Sequence, residues 1–257
     1  MNGRTLKSET LSYGTDEAQN LAFSWPADVA SPRGIVALIH GGYWRSNLHA
    51  SLMEPLAASL LENGWAVANI EYRRGAFGRW PAPLEDCRKA MGLIETAKRE
   101  SSIQGPIISI GHSVGGQLAI LTANLADAVV ALAPVTDAER TYAEALGENA
   151  AHEYFRTSPA ETPGIYRQAS AVRQLPIRTR TLLIHGANDS RVPIGHSLDY
   201  TRAAQAAGSP VYLREYEELG HLEDIDPLAP HWPDVLTWIA GVSPSESDGA
   251  TGEQEWV

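Results

Sequence analysis

Ile107-Ile108-Ser109-Ile110-Gly111-His112-Ser113-Val114-Gly115-Gly116-Gln117-Leu118-Ala119 decides the fold. A short apolar run leads into Gly-x-Ser-x-Gly, and small and apolar residues follow. The order predicts a strand, a sharp turn and a helix. A serine at such a turn sits in a strained backbone conformation, and bulky residues two positions away would collide. Glycines at 111 and 115 remove that collision. The turn lifts the Ser113 hydroxyl above a sheet and aims the first amides of the next helix at it, where they carry partial positive charge. The same letters also describe a glycine-rich turn with a serine N-cap. The strand before and the helix after favour a nucleophile.

The chain on either side supplies that sheet. Ile35 to Ile39, Ala66 to Ile70, Ala128 to Leu132, Thr181 to Ile184 and Val211 to Tyr216 are further short runs. Continuous apolar runs predict strands buried on both faces of a parallel sheet. Leu84, Cys87, Met91 and Ile94 recur at helical spacing, with charged residues on the opposite face. Further helices are predicted from about His49 to Glu62, with Gly64 as C-cap, and over Val114 to Asn124, Ile194 to Ala207 and Trp232 to Ala240. Tyr13 and Phe23-Ser24-Trp25-Pro26 read as parts of an edge hairpin. Strands alternating with helices predict an α/β fold, a mostly parallel doubly wound sheet flanked by helices. The domain runs over residues 1–242. Residues 136–180, after the sixth strand, exceed an ordinary connection and are predicted to form a small lid with helical pieces at 138–146 and 151–155. Residues 243–257 read as an acidic, disordered tail, with Trp256 as its odd member.

Around the serine, three more segments end strands. His40-Gly41-Gly42-Tyr43-Trp44 follows the first long apolar run. Acyl transfer builds negative charge on a carbonyl oxygen, and each prearranged amide donor is worth on the order of 3 kcal/mol. Glycines let the backbone approach closely. Gly42, Tyr43 or both, with Val114, are the expected donors. A plain two-glycine turn is the bland alternative.

Eight histidines compete for the role of base. His40 and His112 belong to the turns already named. His185 ends a strand and is expected to bond locally. His49, His152, His196 and His231 lie in or beside helices, where solvated or capping roles are expected. His221, in Glu217-Glu218-Leu219-Gly220-His221, follows the last strand, where this arrangement requires its base. Asp189, in His185-Gly186-Ala187-Asn188-Asp189, is the expected acid. It would fix the imidazole tautomer and stabilise the imidazolium. Its alternatives are an Asx-turn role for Asp189, or Asp137, Glu217, Glu218, Glu223 or Asp224 as the acid. The order Ser, Asp, His is that expected for the fold.

The totals set bounds. The 257 residues carry a net charge of −11, and four of the acidic groups, Glu246, Asp248, Glu253 and Glu255, sit in the tail. An acidic chain repels phosphate backbones, so no nucleic-acid partner is expected. The lone Cys87 gives no sign of an oxidising compartment. No stretch reaches the roughly 18 apolar residues of a membrane span, and the N-terminus has no apolar signal region. A cytoplasmic protein with no membrane partner is expected; the sequence admits a homodimer. No cofactor and no metal is expected. His221 to Asp226 has a metal-like look, but a structural or triad-supporting loop is the better reading. Tyr43, Trp44, Tyr72, Trp80 and His112 are candidates for substrate contact, beside an ordinary packing role.

These motifs together resemble the α/β-hydrolase superfamily over nearly the whole body. His40-Gly41-Gly42-Tyr43-Trp44 resembles the motif of kynurenine formamidases (arylformamidases) and of related bacterial carboxylesterases, which usually carry a third glycine where Tyr43 stands. The resemblance implies a triad of Ser113, Asp189 and His221 and an oxyanion hole from Gly41, Gly42 and Val114. It implies hydrolysis of a small ester or N-formyl amide through an acyl-enzyme, with formamidase-like activity expected first. A non-catalytic ligand receptor on the same scaffold is the rival of another class. A peptidase of the prolyl-oligopeptidase type is a third reading, against which stands the lack of a propeller-sized partner domain.

Overall fold

The computed structural model describes residues 7–27 and 29–244. The tail from 245 onward, Trp256 included, lies outside the described residues. In chain order the elements are β1 (Ser8–Ser12), β2 (Asn20–Ser24), β3 (Ile35–Ile39), α1 (Glu54–Glu62), β4 (Ala66–Ile70), α2 (Ala82–Glu100), β5 (Ile107–His112), α3 (Val114–Leu121) and β6 (Ala128–Leu132). Then follow α4 (Ala138–Ala143), α5 (Leu146–Phe155), α6 (Pro163–Ala169), β7 (Arg180–Gly186), α7 (Gly195–Ala206), β8 (Val211–Tyr216) and α8 (Trp232–Ala240).

One eight-stranded sheet runs in the order β1-β2-β4-β3-β5-β6-β7-β8. β1 and β2 form the antiparallel edge hairpin, and β3 through β8 pair in parallel. This is the α/β-hydrolase arrangement of strands and helices. Alternation along each strand divides the core in two. Ile35, Ala37 and Ile39 face α2, α3 and α7, packing with Leu84, Cys87, Met91, Leu118 and Tyr200. Val36 and Leu38 face the other layer, with Leu56 and Leu60 of α1 and Trp232, Val235 and Ile239 of α8. Burying one such aliphatic side chain contributes about 1.5–3 kcal/mol, so the sheet is a rigid platform for the loops at its carboxyl edge.

Several elements differ from the sequence reading. Val211–Tyr216 is not buried on both faces: β8 is the outer strand, and only Val211 at its start is fully buried. The helix expected from His49 begins as a 3-10 turn at Ala50–Met53, because Pro55 fixes the true first turn of α1. Gly64 ends that helix with φ 82°, as a C-cap requires. The helix after Ser113 stops at Leu121, with a 3-10 turn at Ala123–Leu125. Residues 136–180 carry a third helix, α6, started by Pro163, which the sequence reading passed over. Those helices pack beside the carboxyl ends of the strands: Tyr154 and Phe155 of α5 lie against Trp44 with ring centroids 5.4 and 5.3 Å away.

Candidate active site

Ser113 sits where β5 passes into α3, with φ 57° and ψ −118°. This is a conformation that L-residues avoid, and its surroundings hold it. Its N–H donates to Leu132 O of β6 at 2.8 Å. The two glycines of the motif are steric necessities. A Cβ on Gly111 would stand 2.1 Å from Gly115 O, and one on Gly115 would stand 2.0 Å from Ile39 O of β3. Val114 N–H opens α3, so it has no acceptor within the helix.

The loop after β3 reaches the same point. A Cβ on Gly41 would stand 2.9 Å from both Ser113 Cβ and His112 O. The backbone of this loop therefore lies directly against the serine. Gly42, Tyr43 and Trp44 follow with φ of 130°, 50° and 59°. Three successive residues in such conformations need outside support, and the structure supplies it. His40 Nδ1 lies 2.7 Å from Gly41 O, and Tyr72 donates to His40 O at 2.8 Å while its ring stacks on the imidazole. His40 Nε2 lies 3.2 Å from Glu71 Oε1, and Glu71 also accepts from Arg74 and from Ala50 N–H. Burial alone would raise the Glu71 carboxyl; the hydrogen bond and charge of His40, the Ala50 amide and Arg74 outweigh it and bring it down to about 2. On the other side, Trp44 Nε1–H donates to Gln117 Oε1 at 3.1 Å, and Gln117 Nε2–H donates to Ala169 O of α6 at 2.5 Å. Tyr43 donates to Arg191 O at 2.5 Å.

Asp189 lies in the turn after β7. Its Oδ1 accepts the Arg191 and Val192 amides at 2.8 and 2.9 Å. Its Oδ2 accepts His221 Nδ1–H at 2.7 Å, with His185 Nε2 at 3.3 Å. The Asx-turn role and the imidazole contact are thus both present, one on each oxygen. Burial would raise this carboxyl, but the bonds from His185, His221 and the Val192 amide hold it well below the ordinary carboxylate range. A Cβ on Gly186 would stand 1.8 Å from Leu219 O, so the turn carrying Asp189 and the loop carrying His221 pack in contact. With Nδ1 committed to Asp189, His221 Nε2 is the free nitrogen. No hydrogen bond joins it to Ser113 in this conformation among the described residues; catalytic bonds of this type commonly tighten when substrate arrives.

The structure brings Ser113, Asp189, His221, Gly41, Gly42, Tyr43 and Val114 to one end of the sheet. Four of the substrate-contact candidates each have a polar atom engaged within the protein. Trp44 and Tyr72 are buried and spent on Gln117 and His40. Trp80 is buried against Phe155 and donates to Gln168. His112 is buried, with Nε2 bonded to His221 O at 2.9 Å. His196 and His231, expected to be solvated or capping, are buried too. Glu71, Gln117 and His185 support the site, and the sequence reading gave none of them that role. Gln117 carried a signal, as a polar residue inside an otherwise small and apolar helix start; Glu71 and His185 carried only their places at strand ends.

A cavity of about 370 Å³ lies beside Tyr43 and Trp44 and is also lined by Arg79, Tyr154 and Arg156. Two larger cavities, about 1030 and 960 Å³, open at the amino end of the strands and contain none of these residues. In open α/β sheets ligands bind at the carboxyl end. One donor atom each from His112, His221 and Asp224 lie within 4.8 Å of one another. No helix among the described residues is long and apolar enough to cross a membrane.

The family profile described as prolyl oligopeptidase family matches residues 84–227, over half of the chain and spanning Ser113, Asp189 and His221. The chain belongs to that family. A second profile, BD-FAE, matches residues 21–129, the oxyanion-loop half. Among curated proteins, this family member is 26% identical over 227 residues to Esterase LipQ of Mycobacterium tuberculosis, covering 79% of this chain and 54% of the relative. It is 23% identical over 240 residues to the probable carboxylic ester hydrolase LipM of the same organism, covering 84% and 56%. The chain thus spans about half the length of the curated relatives it matches. Among solved structures, a truncated carbohydrate esterase from gut microbiota superposes with TM-score 0.78 at 20% identity, covering 92% of this chain and 95% of that one. A bacterial heroin esterase gives TM-score 0.75 at 22% identity, covering 92% and 83%. Likeness at that identity establishes the α/β-hydrolase fold.

Proposed function

We propose that this chain is a carboxylic ester hydrolase acting through Ser113. The observation that carries the reading is the convergence at Ser113: a nucleophile turn with φ 57°, a Gly41 backbone pressed against it, and a His221 imidazole whose Nδ1–H is bonded to Asp189. The names of the curated relatives favour esters. In the first half-reaction neutral His221 Nε2 takes the Ser113 proton as Oγ attacks the carbonyl carbon. The oxyanion receives hydrogen bonds from the Val114 amide and from amides of the 41–43 loop. His221 then protonates the leaving alcohol as the C–O bond breaks. Water, deprotonated by His221, attacks the acyl-enzyme, and the acid leaves with the Ser113 proton restored.

His40-Gly41-Gly42-Tyr43-Trp44 favours a second reading, cleavage of N-formyl amides of the kynurenine formamidase kind. Initial rates on p-nitrophenyl acetate, p-nitrophenyl butyrate and N-formylkynurenine, for wild type and Ser113→Ala, separate the two. The ester reading expects turnover of the p-nitrophenyl esters that Ser113→Ala abolishes. Turnover of N-formylkynurenine alone moves the assignment to the amide. Binding of a small ligand with no turnover of any of the three moves it to a receptor.

A further inference from the structure

Asp224 is a buried carboxyl that the chemistry above does not use. It is fully buried, and among the described residues neither of its side-chain oxygens has a hydrogen-bond partner. The Nδ1 of His112, equally buried, also lacks one. Two unsatisfied polar groups on the residues of one buried cluster are costly unless something bridges them. Atoms of His112, His221 and Asp224 stand within 4.8 Å.

The protonation states follow from the bonding. His112 Nε2 faces the His221 carbonyl oxygen at 2.9 Å. A carbonyl only accepts, so that nitrogen carries the hydrogen. Burial first, and then the nearness of His221, pushes the His112 pKa down to about 3. The ring is therefore neutral, and Nδ1 is a lone pair that needs a donor. The charges facing Asp224 are Asp189 from the loop after β7 and its own neighbour Glu223. His112 and His221 contribute ring nitrogens, and His231 at the start of α8 gives its Nε2 to the Asp224 main-chain oxygen. Burial, then Asp189, then Glu223 push the Asp224 pKa up to about 9. At neutral pH the group is a carboxylic acid with one O–H to give.

We propose that Asp224 is a positioning residue: its carboxyl donates through one bridging water to His112 Nδ1, and so fixes the His112 tautomer that holds the His221 main chain beside Ser113. His112 is the residue before the nucleophile, and His221 is the base. The clasp thus ties the two reacting loops together, while Asp189 holds the imidazole from its Nδ1 side.

The role rests on the ester hydrolase reading, so the test has an arm that needs no turnover. In the full chain labelled with 13C at the aspartate carboxyl, one resonance is expected at the protonated position at pH 7. It should titrate near pH 9 and be missing from Asp224→Asn. In the kinetic arm, kcat on a p-nitrophenyl ester is expected to fall about tenfold in Asp224→Ala with little change in KM. Asp224→Asn, whose amide still donates, should recover it. The wild-type rate should drop above about pH 9, and the Asp224→Asn rate should stay level. An Asp224 carboxyl ionised at pH 7, with or without a copurifying divalent cation, overturns the proposal. So does an Asp224→Asn pH profile superimposable on wild type. If Asp224→Asn does not fold, the wild-type spectrum decides: every aspartate ionised at pH 7 is the contradicting result.

Discussion

The loops after β7 and β8 each bury an aspartate at the same end of the sheet, and they treat it in opposite ways. Asp189 is surrounded by donors: two amides on one oxygen, His221 and His185 on the other. Asp224 has none. Both carboxyls are desolvated, so burial pushes each toward the neutral acid. For Asp189 the donors reverse that push, and it stays ionised. For Asp224 the nearby Asp189 charge adds to it, and the acid form persists to about pH 9. A carboxylate can orient and stabilise an imidazolium; a carboxylic acid brings no charge and adds an O–H donor. The difference in function therefore comes from the donors each loop supplies.

Exchanging charge for amide separates the two sharply. Asp189→Asn should lower kcat about 10⁴-fold, because an amide favours the wrong His221 tautomer; steady-state rates on a p-nitrophenyl ester measure this. A next step removes one donor from Asp189. His185→Phe should cost about tenfold in kcat, the order for a hydrogen bond to a charged group, and His185→Gln should recover part of it.

Thermal unfolding as a function of pH reads the same contrast as stability. Asp189 has a folded pKa below its unfolded one, so its contribution is present above about pH 4 and is lost as pH falls. Asp224 has a folded pKa near 9, above its unfolded one, so its contribution is greatest below about pH 4 and is lost as pH rises toward 9. Asp224→Asn should therefore gain in Tm over wild type progressively between pH 5 and 9. Equal shifts at both ends of that range contradict it. Glu71 extends the comparison with the smallest effect. Its pKa of about 2 places its contribution above about pH 4.5, lost as pH falls toward 2. Glu71→Gln should lower Tm at pH 7 by a few degrees and leave a shallower acid limb.

The contrast also marks what was legible in the sequence. The strands, the hairpin, Ser113 and the glycines around it were readable because each rests on a local rule: apolar runs, turn sterics, a helix following a strand. Asp189 and His221 were readable from chain order and strand ends. The aromatic residues were not. Trp44, Tyr72 and Trp80 stand beside the motifs in sequence, yet their burial depends on α5, α6 and His40, which fold over them from distant positions. Asp224 stood among the rivals for the acid. Only the absence of donors around it in three dimensions separates its role from that of Asp189. The edge position of β8 was hidden because its length and composition match a buried strand at one end only.

The account stands or falls on Ser113 as the nucleophile. The direct measurement is intact-mass and peptide analysis after reaction with a p-nitrophenyl phosphonate, in wild type and Ser113→Ala. A single adduct is expected, on the peptide holding Gly111 to Gly115, with stoichiometric nitrophenolate release and loss of ester turnover. Ser113→Ala should carry none. An adduct on another residue, or ester turnover that persists in Ser113→Ala, contradicts the account.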